Sequence, residues 1–219
     1  MLCPTSDFTP HISAARLGTL LLFSGCALGG PTPIVGLPCE DCEVPMIGLP
    51  ASAPTIAQLA PDTEPGERLL LSGRVTDASG QPRAGVIIYA HQTNRDGRYP
   101  GEGHDPDIAI RRHGRLRAWA ATDAGGNYAF SSVRPGSYPG TRMPQHIHLY
   151  VIERGCATYY IDDVLFRDDP HLTAAAVRTA NHGRGGSGIV MPQRTAAGWQ
   201  AHRDIVLGQN IPGYPGCSE

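Results

Sequence analysis

His146 and His148 flank a single residue in Pro144-Gln145-His146-Ile147-His148. Side chains two apart on an extended strand share a face, so one strand can offer both imidazoles to one ion. Imidazole pairs suit zinc, copper and iron alike. Tyr99 and Tyr138, in loops upstream, become hard anionic donors once deprotonated, and a strongly charged ion such as ferric iron can remove their protons. Together these residue types point to a mononuclear Fe(III) site of two tyrosinates and two histidines. Singly each signal is weak. A strand His-x-His pair more often hydrogen-bonds or meets solvent, and a loop tyrosine more often packs its ring and wets its hydroxyl.

Short strands must position these groups. Residues 69–76, 85–91, 146–152, 159–166 and 203–207 have strand character, and in 146–152 the histidines and Tyr150 alternate with Ile147, Leu149 and Val151. Residues 119–122 and 127–130, around Asp123-Ala124-Gly125-Gly126, look like a hairpin, and Asp77 to Gly80 forms a similar turn. The one helical candidate is His171 to Thr179. With 27 Gly and 20 Pro punctuating the chain, the expected class is all-β, an antiparallel β-sandwich with long loops and little helix.

The 219 residues carry a net charge of −2, which gives no basis for nucleic-acid binding. All 18 basic residues are Arg. Arg16, the apolar run Leu17 to Phe23 and Ser24-Gly25-Cys26 fit residues 1–26 as a signal peptide with a lipobox, Cys26 being the lipidated residue. That predicts export to a bacterial cell envelope, periplasmic or extracellular, with membrane contact only through a lipid anchor. Residues 27–66, rich in Pro, Gly and Ala, look like a linker or extended arm, leaving 67–219 as the domain. Cys39, Cys42, Cys156 and Cys217 suggest two disulfides. The preferred pairing joins Cys39 and Cys42 each to a distant partner.

Several segments in order carry a family resemblance: Gly73-Arg74-Val75, Asp96-Gly97-Arg98-Tyr99, Thr122 to Phe130, Arg134-Pro135-Gly136-Ser137-Tyr138-Pro139, His146-Ile147-His148 and Arg203 to Leu207. Over roughly 73–207 the chain resembles the intradiol ring-cleavage dioxygenases, the family of protocatechuate 3,4-dioxygenase and catechol 1,2-dioxygenase. The resemblance implies non-haem Fe(III) held by Tyr99, Tyr138, His146 and His148, with hydroxide as fifth ligand. It implies a small aromatic diol and O2 as substrates, Tyr138 as a proton acceptor, and a cis,cis-muconate-type diacid as product. It also leaves room for a homo-oligomer.

Two departures stand out. The family's Arg-Pro-Ala before the histidines is here Arg142-Met143-Pro144-Gln145, which shifts the catalytic arginine candidate, Arg142, by one position. A family Gln in the next strand is replaced by Asp162 or Asp163, with Asp163 the pocket candidate. His91 is a second pocket candidate, whereas His104, His113, His171, His182 and His202 are expected in solvated loops. Arg111 to Arg117 is expected to be an exposed loop, with steering of an anionic substrate as the sharper alternative. The rival function is a non-catalytic β-sandwich binding module of transthyretin or carboxypeptidase-regulatory type, which shares the turn pattern but lacks the paired histidines and loop tyrosines.

Overall fold

Alternation dictates the first long strand: in β2 (Arg68–Thr76), Leu69, Leu71 and Val75 are buried while Leu70 and Arg74 face outward. The computed structural model describes residues 32–39, 41–101 and 103–217; Cys26 and the expected signal segment lie outside them. The other strands are β1 (Ile56–Gln58), β3 (Ile87–Gln92), β4 (Arg117–Ala121), β5 (Asn127–Val133), β6 (His146–Glu153), β7 (Ala157–Phe166), β8 (Ile189–Val190), β9 (Gln193–Thr195), β10 (Gly198–His202) and β11 (Ile205–Val206). Two short helices interrupt them, α1 (Ile108–His113) and α2 (Ala174–Ala180).

The strands form two sheets, ordered β1-β5-β2-β10-β9 with β11 beside β2, and β4-β3-β6-β7-β8. Their inner faces meet in one core that includes Leu71, Ile88, Phe130, Leu149 and Ile161. The fold is the expected β-sandwich with little helix. Antiparallel pairing holds along the long strands, but β1, β8, β10 and β11 pair in parallel, so both sheets are mixed.

The expected hairpin at Asp123 does not form. The Asp123 carboxylate accepts from the backbone N–H groups of Gly125 and Asn127, closing the turn as predicted. The chain then crosses between layers: β4 pairs with β3, and β5 pairs with β2. Burial decides this, because Tyr128 and Phe130 must enter the core from the opposite sheet. Asp77 caps a second cross-sheet turn in the same way.

The segment before Glu67, expected to be a linker or extended arm, lies along the sandwich. Val35 donates to the Thr158 carbonyl, the Trp119 indole donates to the Pro45 carbonyl, and β1 extends one sheet. Cys42, Ile34, Met46 and Leu49 thereby cover the outer face of the β3–β6 region, burying Tyr89, Tyr150 and Ile152. Among the described residues, no helix is long and apolar enough to cross a membrane.

Candidate metal centre

Two loops and one strand build the site. In the first loop the Asn94 side chain accepts from the N–H groups of Asp96 and Arg98, curling the chain so that Tyr99 turns back over the sheet. The second loop, Arg134 to Pro139, is pressed against the first by two glycines. Gly97 has φ +73°, and a Cβ there would lie 1.8 Å from the Ser137 carbonyl oxygen; a Cβ on Gly136 would lie 2.3 Å from that of Arg95. Only glycine allows this approach. Gly136 N–H also donates to Asn94 O at 2.8 Å. Arg134 ties the second loop to the start of β6 by donating to Gln145 and to both Asp168 carboxylate oxygens.

The four expected donors converge. Tyr99 Oη lies 2.8 Å from Tyr138 Oη, His148 Nε2 lies 2.9 Å from Tyr99 Oη, and His146 Nε2 lies 3.2 Å from Tyr138 Oη. The far nitrogens settle the tautomers. His146 Nδ1 sits 2.7 Å from the Pro144 carbonyl oxygen, which can only accept, so Nδ1 carries the proton and Nε2 the lone pair. Burial first, then the neighbouring His148, pushes the His146 pKa down. His148 Nδ1 lies 2.9 Å from Asp163 Oδ1, the carboxylate–histidine arrangement that orients metal-binding imidazoles. Two imidazole nitrogens and two phenolic oxygens suit a hard, highly charged ion such as Fe(III).

Asp163 reaches its place through a bulge. Between Ile147↔Val164 and Leu149↔Ile161, β6 advances by two residues and β7 by three. The extra residue aims Asp163 at His148, while Asp162 accepts from Gly183 N–H at 2.6 Å. Burial opposes the Asp163 charge, but His148 and His146 outweigh it and hold its pKa below the ordinary carboxylate value. His146, His148 and Asp163 could themselves form a three-ligand metal group. The hydrogen bond to His148 Nδ1 instead places Asp163 behind the imidazole, on the side away from both tyrosines.

His91, the other pocket candidate, is directly opposite His148 in the β3–β6 ladder. Its ring stacks on His148 at 4.4 Å and on His113 at 3.8 Å. Both of its ring nitrogens are buried without a hydrogen-bond partner, and burial pushes its pKa well below the ordinary value. His113 corrects the expectation of a solvated loop. It closes α1 and is 2% exposed, with Nδ1 2.9 Å from Tyr89 Oη. Sequence signals for α1 existed: Asp107 caps its first turn, Gly114 ends it, and the last turn is basic. The arginine run is accordingly not a bare loop, since Arg112 pairs with Asp41 and Glu43, and Arg115 with Asp105.

The four donors line a cavity of about 900 Å³. Arg142 lies on its wall, exposed and with no ion pair among the described residues. The disulfide preference is overturned: Cys39 pairs with Cys42, and Cys156 with Cys217. Cys39 and Cys42 frame a tight turn through Asp41, so their sulfurs meet locally, and the C-terminal tail reaches Cys156 instead.

A two-sheet sandwich with two phenols and two imidazoles gathered over a cavity defines a β-sandwich protein with a candidate mononuclear metal centre. Residues 46–186 match a family profile described as Dioxygenase; the chain belongs to the intradiol ring-cleavage dioxygenase family. It is 30% identical over 112 residues to the protocatechuate 3,4-dioxygenase beta chain of Burkholderia cepacia, covering 49% of this chain and 48% of that one. It is 29% identical over 185 residues to catechol 1,2-dioxygenase 2 of Acinetobacter lwoffii, covering 69% and 60%. The chain thus spans about half the length of the curated relatives it matches. Among solved structures, the dioxygenase domain of a dioxygenase–carbohydrate-binding fusion from Streptomyces sp. SirexAA-E superposes with a TM-score of 0.57 at 21% identity, covering 81% of this chain and 98% of that one. That likeness shows the shared fold.

Proposed function

We propose that this protein is an Fe(III)-dependent intradiol dioxygenase. It takes a catechol-type ortho-dihydroxy aromatic and O2, breaks the carbon–carbon bond between the two hydroxylated carbons, and places one oxygen atom on each to give a cis,cis-muconate-type diacid. The observation that carries the proposal is the convergence of Tyr99 Oη, Tyr138 Oη, His146 Nε2 and His148 Nε2 within hydrogen-bond distance. Those four residues would hold the iron, which supplies Lewis acidity and a template for the diol.

The remaining work falls to the chain. Pro144 O and Asp163 hold the imidazole Nδ1 protons and so keep both Nε2 lone pairs turned inward. Tyr138 Oη, between Tyr99 and His146, accepts one catechol proton as the diol binds. Arg142, on the cavity wall, orients the bound diol. The buried ring of His91, stacked on His148 at 4.4 Å, keeps water from that face of the imidazole.

Export is part of the same proposal, with Cys26 as the lipid-bearing residue and the domain held at an envelope surface. Its structural support is the pair of disulfides, which persist in an oxidising compartment.

Metal analysis, a visible spectrum and oxygen uptake test the assignment. Iron-loaded protein is expected to be burgundy red from tyrosinate-to-Fe(III) charge transfer, and to consume one O2 per catechol with both atoms recovered in the diacid. His146→Ala or His148→Ala is expected to abolish iron retention. A colourless protein carrying copper or zinc, or one that leaves dihydroxybenzenes untouched, overturns the proposal.

A further inference from the structure

The cavity is too large for its expected ring. A dihydroxybenzene has eight non-hydrogen atoms, each filling somewhat less than the ~30 Å³ liquid share of a water, so it occupies on the order of 150 Å³. The cavity measures about 900 Å³, near the upper end of the roughly 300–1,000 Å³ of sites that enclose drug-sized molecules. The iron-ligand candidates are four of its lining residues. The lining also includes the Cys39–Cys42 turn and α2.

The chemistry of these other lining residues accounts for the spare room. Ala176 and Ala180 stand four residues apart on one face of α2, with Thr179 beside them, and all three line the cavity. Larger side chains there would fill the space. The helix has no buried residue, so these small side chains are not imposed by core packing. The Cys39–Cys42 turn contributes Pro38, Cys39 and Asp41 to the same lining; these residues precede the matched segment 46–186. The disulfide closes that turn, and Asp41 ties it to α1 by pairing with Arg112 at 2.9 Å.

We propose that the substrate is a catechol whose ring carries a bulky substituent of at least a second ring's size. The diol end sits against Tyr99, Tyr138, His146 and His148, and the substituent lies along the Ala176–Ala180 face of α2 towards the Cys39–Cys42 turn. This inference rests on the dioxygenase reading and extends it to the substrate class.

The test compares kcat/KM of iron-loaded protein for unsubstituted catechol and for a catechol bearing an aryl-alkyl group para to one hydroxyl. The wild type is expected to favour the bulky diol at least tenfold. Ala180→Trp, and separately Ala176→Phe, are expected to lower that preference tenfold or more, chiefly by loss on the bulky diol. Because α2 buries nothing, both variants are expected to keep the wild-type melting temperature. Cleavage of simple catechol with rejection of the bulky one overturns this inference and leaves the dioxygenase reading standing. An equal loss on both substrates in the variants overturns it as well. Failure to cleave either diol overturns both.

Discussion

Asp163→Asn isolates how the carboxylate behind His148 matters. In the native site Asp163 Oδ1 accepts the Nδ1 proton at 2.9 Å, a charge-assisted bond that fixes the tautomer and makes Nε2 a better donor. The amide keeps the shape and loses the charge. It can also rotate its NH2 towards Nδ1, which favours the wrong tautomer. Removing such a partner typically lowers metal affinity about 10–100-fold, or roughly 1.4–2.7 kcal/mol. Competition of iron against a chelator, followed at the tyrosinate band, measures the loss. Asp162→Asn is the control, because that side chain turns away to Gly183; iron affinity within about threefold of wild type is expected there. The size of the loss separates two roles. A drop beyond about 1,000-fold would make Asp163 a ligand, as the His146, His148 and Asp163 grouping allows. Affinity unchanged in Asp163→Asn would refute the reasoning.

Further outcomes follow from the same geometry. His91→Phe keeps a flat ring between His113 and His148 and is expected to retain iron within about threefold by the same chelator assay, whereas His91→Ala opens a gap behind His148 and is expected to lose tenfold or more. His113 has its pKa pushed down to about 3, by burial first and then by His148 and nearby arginines. Above pH 6.5 it is neutral in both states. As pH falls towards 3 only the unfolded chain gains its proton, which destabilises the fold by up to on the order of 4 kcal/mol. Urea midpoints between pH 7 and 4 are therefore expected to fall more steeply in the wild type than in His113→Phe. The Cys156–Cys217 bond closes a loop with a sequence separation of 61 and Cys39–Cys42 one of 3. Chain entropy assigns them about 4 and about 2 kcal/mol, so Cys156→Ser/Cys217→Ser is expected to lower Tm more than Cys39→Ser/Cys42→Ser.

The sequence made the long strands and the four converging side chains legible for the same reason: both are periodic or motif-bound. β2 alternates cleanly, and in β6 the inward Ile147, Leu149 and Val151 separate the two histidines from the core. β1, β8, β9 and β10, two to five residues long, carry too little pattern of their own to be read from the sequence. Their pairing is chosen by a distant partner, and a local pattern cannot announce it. The failed hairpin at Asp123 makes the same point. The turn residues specified the turn, while the burial of Tyr128 and Phe130 specified where the chain went next. Within the site, His113 is not legible although its helix has a cap and a stop, because an arginine-rich segment reads as surface. The bulge that aims Asp163 depends on register against β6, which no single strand encodes.

Cross-sheet turns also order the assembly of the molecule. β2 and β3, and likewise β4 and β5, are neighbours along the chain but belong to different sheets. Among the described residues the β6–β7 ladder is the one long pairing closed by a short turn, so it carries the smallest loop-closure entropy and has the least distance to search. That hairpin bears His146, His148 and Asp163. Tyr99 and Tyr138 sit on loops beside β3 and β5, whose partners are distant in sequence, so these loops are expected to settle later. A half-folded chain is therefore expected to present imidazoles without phenols, and the full donor set to form with the finished fold.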